Sequence, residues 1–212
     1  MTVVCRKQYT PLGQNGEGPG FSMGVSSAFG RDVLYYGENY SESVSGNSGQ
    51  LEANLTLLWG DRCGAHDYRG VRIGIGRDEA NFTTSIDSQK VSIQKTGTRI
   101  PIVATRSIAM NKHLAFELSG GYLFTVGTMS LGAQLQVEEI QLKIDRESAY
   151  QTHGLIANLG LGYYAGPIEI KLMVHGAMSI HILDVSSDAP DAITSLNFLR
   201  TVNGNLSVAY RF

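Results

Sequence analysis

The chain has 212 residues, a net charge of −2 and an isoelectric point near 6.2, so it holds one domain or one small barrel and offers no basic footprint for nucleic acid. Twenty-five glycines against five prolines favour strands and turns, and the longest apolar runs, such as Leu57-Leu58-Trp59, span only a few residues. A spanning helix needs about 20 apolar residues, which excludes a helical membrane protein. A mean hydropathy near zero is compatible with a transmembrane barrel, where only alternate residues meet lipid.

The N-terminal stretch MTVVCRKQYT has no long apolar core and no cleavage site, as expected of a mature chain. Residues 1–20 contain Pro11, Pro19 and several glycines and read as a non-helical leader. Residues 21–212 read as the barrel.

Period-two alternation, the mark of a half-buried strand, then recurs along the chain. In 21–30, Phe21, Met23, Val25 and Phe29 oppose Ser22, Gly24 and Ser26. In 50–59, Leu51, Ala53, Leu55, Leu57 and Trp59 oppose Glu52, Asn54 and Thr56. In 70–77, Val71, Ile73 and Ile75 oppose Arg72, Gly74 and Gly76. In 98–108, Ile100, Ile102 and Ala104 oppose Arg99, Val103 and Thr105, with Pro101 predicting a bulge where a ladder donor is missing. The clearest segment is 113–127, with Leu114, Phe116, Leu118, Tyr122, Phe124 and Val126 against Ala115, Glu117, Ser119 and Thr125. Segment 152–164 sets Leu155, Leu159, Leu161 and Tyr163 against Asn158, Gly160 and Gly162. Segment 168–183 sets Ile168, Ile170, Leu172, Val174, Met178 and Ile180 against Glu169, Lys171, His175, Ser179 and His181. The last segment, 198–212, sets Val202, Leu206, Val208, Tyr210 and Phe212 against Thr201, Asn203, Asn205, Ser207 and Arg211.

Eight such segments predict an all-β, up-and-down antiparallel transmembrane barrel of eight strands, with ten as the lesser alternative. The gaps alternate long (31–49, 78–97, 128–151, 184–197) and short (60–69, 109–112, 165–167), which predicts long extracellular loops, short periplasmic turns and both termini in the periplasm. Aromatic residues near segment ends suggest interfacial girdles: Phe21, Trp59, Tyr163, Tyr210 and Phe212 at one end, Phe29, Phe124 and Phe198 at the other. The four long gaps together carry −8, read as acidic, solvated loops. In the third, Leu131, Ala133, Leu135 and Val137 alternate, and Glu138-Glu139 flips the phase to Ile140, Leu142 and Ile144, as in a strand extension above the membrane. The first, with Tyr35, Tyr36 and Tyr40 before a Ser/Gly/Asn run, reads as a surface loop.

The final residues, VNGNLSVAYRF, resemble the assembly signal of bacterial outer-membrane barrels, with Val208, Tyr210 and Phe212 at the alternate apolar and terminal aromatic places. Together with the eight-strand layout, the chain resembles the transmembrane domain of outer-membrane protein A and its small relatives. That resemblance implies the bacterial outer membrane, insertion by the barrel-assembly machinery, and contact with outer-membrane lipid and lipopolysaccharide; some relatives carry a peptidoglycan-binding domain after the barrel, and none is expected here after Phe212. It leaves function open, because adhesins, anchors, narrow channels and lipid-modifying enzymes share the architecture.

Within the lumen, Glu52, Arg72, Glu117, Glu169, Lys171 and Arg211 are expected to form a polar network, since buried charges must be paired and an eight-stranded barrel is only wide enough for side chains to fill. Ser179, His181 and His175 share a strand face, yet residues two apart on a strand sit about 6.5–7 Å apart, too far for a ready nucleophile–base pair. No catalytic, cofactor or metal site is expected; Cys63 and His66 lack a second ligand pair. Cys5 and Cys63 both fall on the periplasmic side, where they are the candidate pair for a disulfide, with free thiols or a link to a partner as the alternatives. The functional expectation is a non-enzymatic structural or surface-interaction barrel, or the barrel subunit of an envelope complex, meeting other proteins through 31–49 and 128–151. A lipid A deacylase-like enzyme of the outer leaflet and a narrow channel are the alternatives.

Overall fold

A computed structural model describes residues 9–11, 20–36, 42–61, 68–86, 89–137, 140–184 and 197–212. They form β1 (Tyr9–Pro11), β2 (Gly20–Tyr36), β3 (Glu42–Asp61), β4 (Tyr68–Ile86), β5 (Gln89–Ala109), β6 (Leu114–Val137), β7 (Ile140–Ala165), β8 (Ile168–Asp184) and β9 (Asn197–Arg211). Strands β2 to β9 pair antiparallel with their sequence neighbours, and β9 pairs back onto β2, closing an eight-stranded up-and-down barrel. Cross-strand partners followed once round the wall lead from Ser22 through Thr56, Arg72, Val103, Gly121, Ile156, Ala177 and Thr201 to Asp32, ten residues further along β2. That stagger is the shear that lets a tilted eight-stranded sheet close. Closure pairs every backbone edge in the wall, the condition for a sheet to sit in lipid.

The short strand β1 pairs with Trp59–Asp61 of β3, just below the start of β2. The turns at this end are short. Gly166 takes a φ of 60° at the head of the two-residue turn before Pro167, a conformation that favours glycine. In the β5–β6 turn, the Asn111 side-chain oxygen accepts hydrogen bonds from the backbone N–H of His113 and Leu114, at 2.8 and 2.9 Å.

The outer wall is apolar where the sequence alternates. Leu55, Ile73, Ile102, Leu118, Leu159, Leu172 and Leu206 are all exposed large side chains of this belt. On β9 the belt runs from Val202 to Tyr210. At about 3.3 Å per residue and a tilt of about 40°, it has roughly the 25 Å height of an outer-membrane apolar band. The barrel therefore spans a membrane by strands; no helix among the described residues is long and apolar enough to do so.

Beyond the belt the strands do not stop. The first three of the four gaps read as loops are largely strand: β2 and β3 pair out to Tyr36↔Glu42, β4 and β5 to Ile86↔Gln89, and β6 and β7 to Val137↔Ile140, while 185–196 of the fourth lie outside the described residues. The third hairpin is an extension of existing strands and adds none to the barrel. In these extensions the amphipathic phase inverts. Outward positions become polar: Ser43, Ser45, Asn47, Glu79, Asn81 and Thr83 are exposed. Inward positions become apolar: Leu34, Val44, Ala80, Phe82 and Leu199 form a buried cluster, with Ile93 against it. The wall thus changes solvent, from lipid to water, along continuous strands.

The bulge expected at Pro101 is absent. Pairing with β4 lapses opposite Ile100–Pro101 and resumes at Gly76↔Arg99 in unchanged register, while Pro101 stays in register with Leu123 of β6. One missing donor interrupts a ladder without shifting it.

Leu118, 47 % exposed on the outer wall, should cost about 2–4 kcal/mol when replaced by Arg, if it sits near the bilayer midplane. Asn81→Arg, outward but above the belt, should change stability by less than about 0.5 kcal/mol. Denaturant unfolding from lipid vesicles compares the two; equal costs would place Asn81 in lipid.

Candidate functional site

Parity aims the polar residues of the belt strands inward, and small residues make room for them. A Cβ on Gly74 would lie 2.6 Å from a Glu52 carboxylate oxygen, so glycine there is what lets Glu52 cross the lumen. Five carboxylates (Asp32, Glu52, Asp78, Glu117, Glu169) and five cations (Arg72, Lys95, Arg99, Lys171, Arg211) face this interior among the described residues.

They stack in three tiers. Nearest the short turns, Lys171 Nζ lies 3.4 Å from Glu117 and 3.2 Å from Glu169, and the Arg211 guanidinium meets Glu169 Oε1 through Nη2 at 2.6 Å and Nε at 2.8 Å. Tyr164 donates its hydroxyl to Glu117, and the Tyr68 and Tyr164 hydroxyls are 3.0 Å apart. The Arg211 guanidinium also lies over the Tyr68 ring, 4.9 Å from its centroid. Glu117, Glu169, Lys171 and Arg211 are thus brought into one cluster.

In the middle tier, Arg99 Nε approaches Glu52 Oε2 at 3.6 Å. His175 Nδ1 lies 2.6 Å from Asn158 Oδ1, and Asn158 Nδ2 donates to Ser119 at 2.8 Å. Arg72 makes no ion pair among the described residues, and its Nε is buried without a hydrogen-bond partner. It lines a cavity of about 20 Å³ with Glu117 and Lys171.

The upper tier was not visible as lumen in the sequence. Lys95 Nζ sits 2.6 Å from Asp78 and 3.7 Å from Asp32, all three nearly inaccessible. Gln50 Nε2 donates to Asp78 at 3.3 Å, and Ser48 donates to Asn203 Oδ1 at 3.1 Å. Gly97 leaves space for the Tyr150 hydroxyl. Asp32 and Asp78 belong to stretches read as exposed acidic loops; both are buried, so the surface is less acidic than the loop charges implied. The missed signal was parity: Asp32 continues the phase of Ser22 and Ser26, Asp78 that of Arg72 and Gly74, and Lys95 that of Arg99. Above this tier lies the apolar cluster of Leu34, Val44, Phe82 and Leu199.

Among the described residues the lumen is closely packed. Beside the 20 Å³ cavity, one of about 10 Å³ lies among Asp78, Lys95, Arg99 and Thr152. Each has room for about one water.

Ser179 is buried in this interior, paired in register with Gly154 and Leu199 and lining the smaller cavity. The His181 side chain, like Cys5, Cys63, His66 and Tyr40, lies outside the described residues. On the lipid-facing wall, His153 hydrogen-bonds the Tyr122 hydroxyl and lies 5.2 Å from the Phe124 ring. Its other outward neighbours are Phe124 and Ile180 across the ladders and Gln151 and Leu155 along the strand. Among the described residues no group of His, Cys, Asp and Glu could hold a metal ion. Val208, Tyr210 and Phe212 all face outward at the short-turn end, and the Phe212 N–H donates to the Phe21 carbonyl at 2.8 Å.

No family model and no curated protein matches the chain. Solved outer-membrane barrels do. Neisserial surface protein A aligns over 91 % of this chain and 97 % of its own at 11 % identity and a TM-score of 0.45. Ail, the attachment invasion locus protein of Yersinia pestis, solved with the heparin analogue sucrose octasulfate, aligns over 92 % and 99 % at 14 % identity and a TM-score of 0.40. The Escherichia coli outer-membrane protease OmpT aligns over 92 % and 96 % at 7 % identity and a TM-score of 0.45.

Replacing Lys95 by Met strands two carboxylates in the upper tier and should cost about 3–5 kcal/mol. Arg72→Met removes a cation with no ion-pair partner and should cost under about 1 kcal/mol. Equilibrium unfolding of both variants checks the ranking; a reversal would mean that Arg72, not Lys95, neutralises the interior. The chain is an eight-stranded, up-and-down transmembrane β-barrel whose described interior holds paired charges beneath an apolar cluster.

Proposed function

We propose that this barrel is a non-enzymatic structural or surface-interaction protein of the bacterial outer membrane, presenting its extended outer rim to other envelope components. The observation that carries the reading is the strand extension: paired walls continue past the belt with a polar outer face and an apolar filling. Such a rim is a rigid, water-facing platform, suited to holding a contact surface at a fixed height above the membrane. Outer-leaflet lipopolysaccharide is the partner of the belt and boundary, the barrel-assembly machinery that of the C-terminal strand, and another envelope protein the partner of the rim.

The filled lumen speaks against a channel, and purified protein should give no large single-channel conductance in planar bilayers. Ser179, enclosed in the lumen, speaks against an outer-leaflet hydrolase; incubation with lipid A should give no deacylated or acyl-transferred product by mass spectrometry. Turnover abolished by Ser179→Ala would replace this reading with an enzymatic one.

Rim contact is tested directly by photocrosslinking residues at Asn81 and Glu147, outward on the extension, with Leu55 in the belt as control. Protein adducts at 81 and 147 and lipid adducts alone at 55 are expected in native membranes. Absence of protein adducts at both rim positions removes the interaction reading.

A further inference from the structure

Just beyond the belt, on the neighbouring strands β2 and β9, the first outward polar residues are Arg31 and Arg200. Both are exposed, and neither makes an ion pair or hydrogen bond among the described residues. Arg77, the first outward polar residue of β4, is instead held by Glu79 at 2.6 Å. Arg31 pairs in register with Val202 and Arg200 with Val33, so the two arginines are diagonal neighbours on one face. Such positions lie about 7–8 Å apart, within reach of two long side chains converging on one group. Two like charges this close repel unless an anion lies between them.

The surroundings define what that anion is attached to. Below the pair lies bare apolar wall: Phe29, 73 % exposed, with Val202 and Met178 beside it. Above it stand the Tyr35 and Phe198 rings, 6.0 Å apart. Guanidinium forks match phosphate oxygens bidentately. An amphiphile whose acyl chains lie on Phe29 and Val202 carries its headgroup to the height of the two arginines. We propose that Arg31 and Arg200 clamp a phosphate of a phosphorylated glycolipid of the outer leaflet, with its acyl chains against Phe29, Val202 and Met178. This rests on the outward orientation of the rim proposed above.

The test places the full chain in nanodiscs of zwitterionic phospholipid doped with phosphorylated lipid A, dephosphorylated lipid A or phosphatidylglycerol, and reads retained lipid by native mass spectrometry. Phosphorylated lipid A should be retained about tenfold more than its dephosphorylated form, the scale of one charge-assisted contact. R31Q/R200Q should lose that preference and R77Q keep it, all three still showing the heat-modifiable migration of a folded barrel. Retention independent of phosphate, an unaffected double variant, or an equal loss in R77Q overturns the site. Retention of phosphatidylglycerol equal to that of lipid A, or displacement by millimolar inorganic phosphate, overturns the assignment to an outer-leaflet glycolipid. Crosslinking at Asn81 and Glu147 reads the rim separately, so loss of lipid preference with those adducts intact removes this site alone.

Discussion

The pairing of charges inside a wall of alternating residues, nine of the ten described interior ones in ion pairs, is the interaction on which the rest depends. A strand that shows lipid a continuous apolar face must turn its other face inward, and an eight-stranded barrel leaves that interior only side-chain width. Polar residues there cannot be left to bulk solvent. Opposite charges balance among the described residues, and the tiers are bridged by hydroxyls and amides: Tyr68 and Tyr164 below, Asn158 and Ser119 in the middle, Gln50 and Ser48 above. Burying an ion pair yields little net stability against an apolar filling, whereas removing one partner is costly. The network therefore acts as a registry device. A shift of one residue between neighbouring strands would send one strand's charges into lipid and its leucines into the lumen.

The same logic explains why the apolar cluster sits above the charged tiers. Where the outer surface meets water, the wall no longer needs an apolar exterior, and the interior can be filled as a soluble barrel fills its own. Leu34, Val44, Phe82 and Leu199 occupy the inward parity that Ser26, Glu52, Arg72 and Asn205 hold lower on the same four strands. Membrane barrel and water-soluble barrel are thus joined end to end in one sheet. The change of filling marks the outer boundary independently of the aromatic residues.

That inversion also sets how far the fold was legible in sequence. The eight belt segments were readable because one outward phase stays apolar for about ten residues, and each inward assignment, such as Glu117 against Leu118, follows from parity alone. The extensions were unreadable as strands because the apolar phase switches faces, so a search for one continuous stripe ends at the boundary and reports a loop. Asp32, Asp78 and Lys95 were lost with them and counted as solvated surface. Glu138-Glu139 was the exception: the phase flip there matches the hairpin register Val137↔Ile140, which sets the alternate residues on either side of it on one face of the ladder. The bulge at Pro101 failed for a different reason, since a missing donor does not by itself insert a residue. Ion-pair partners lay beyond the sequence altogether. Which cation meets Glu52 depends on strand register: Glu52 lies level with Gly76 and Gly76 with Arg99, while Arg72 is left without an ion pair among the described residues.

A closely packed lumen fits the proposal that recognition takes place on the outside of the wall. The described interior holds small cavities lined by charged and polar side chains, and on the lipid-facing wall His153 is engaged by the Tyr122 hydroxyl. What remains available for recognition is the polar exterior of the extension and the boundary beneath it. Both are built on paired strands, so the side chains they present are held at fixed spacing. A site on such a wall loses little conformational freedom when a ligand arrives, which favours shallow contacts that a flexible loop would make only weakly.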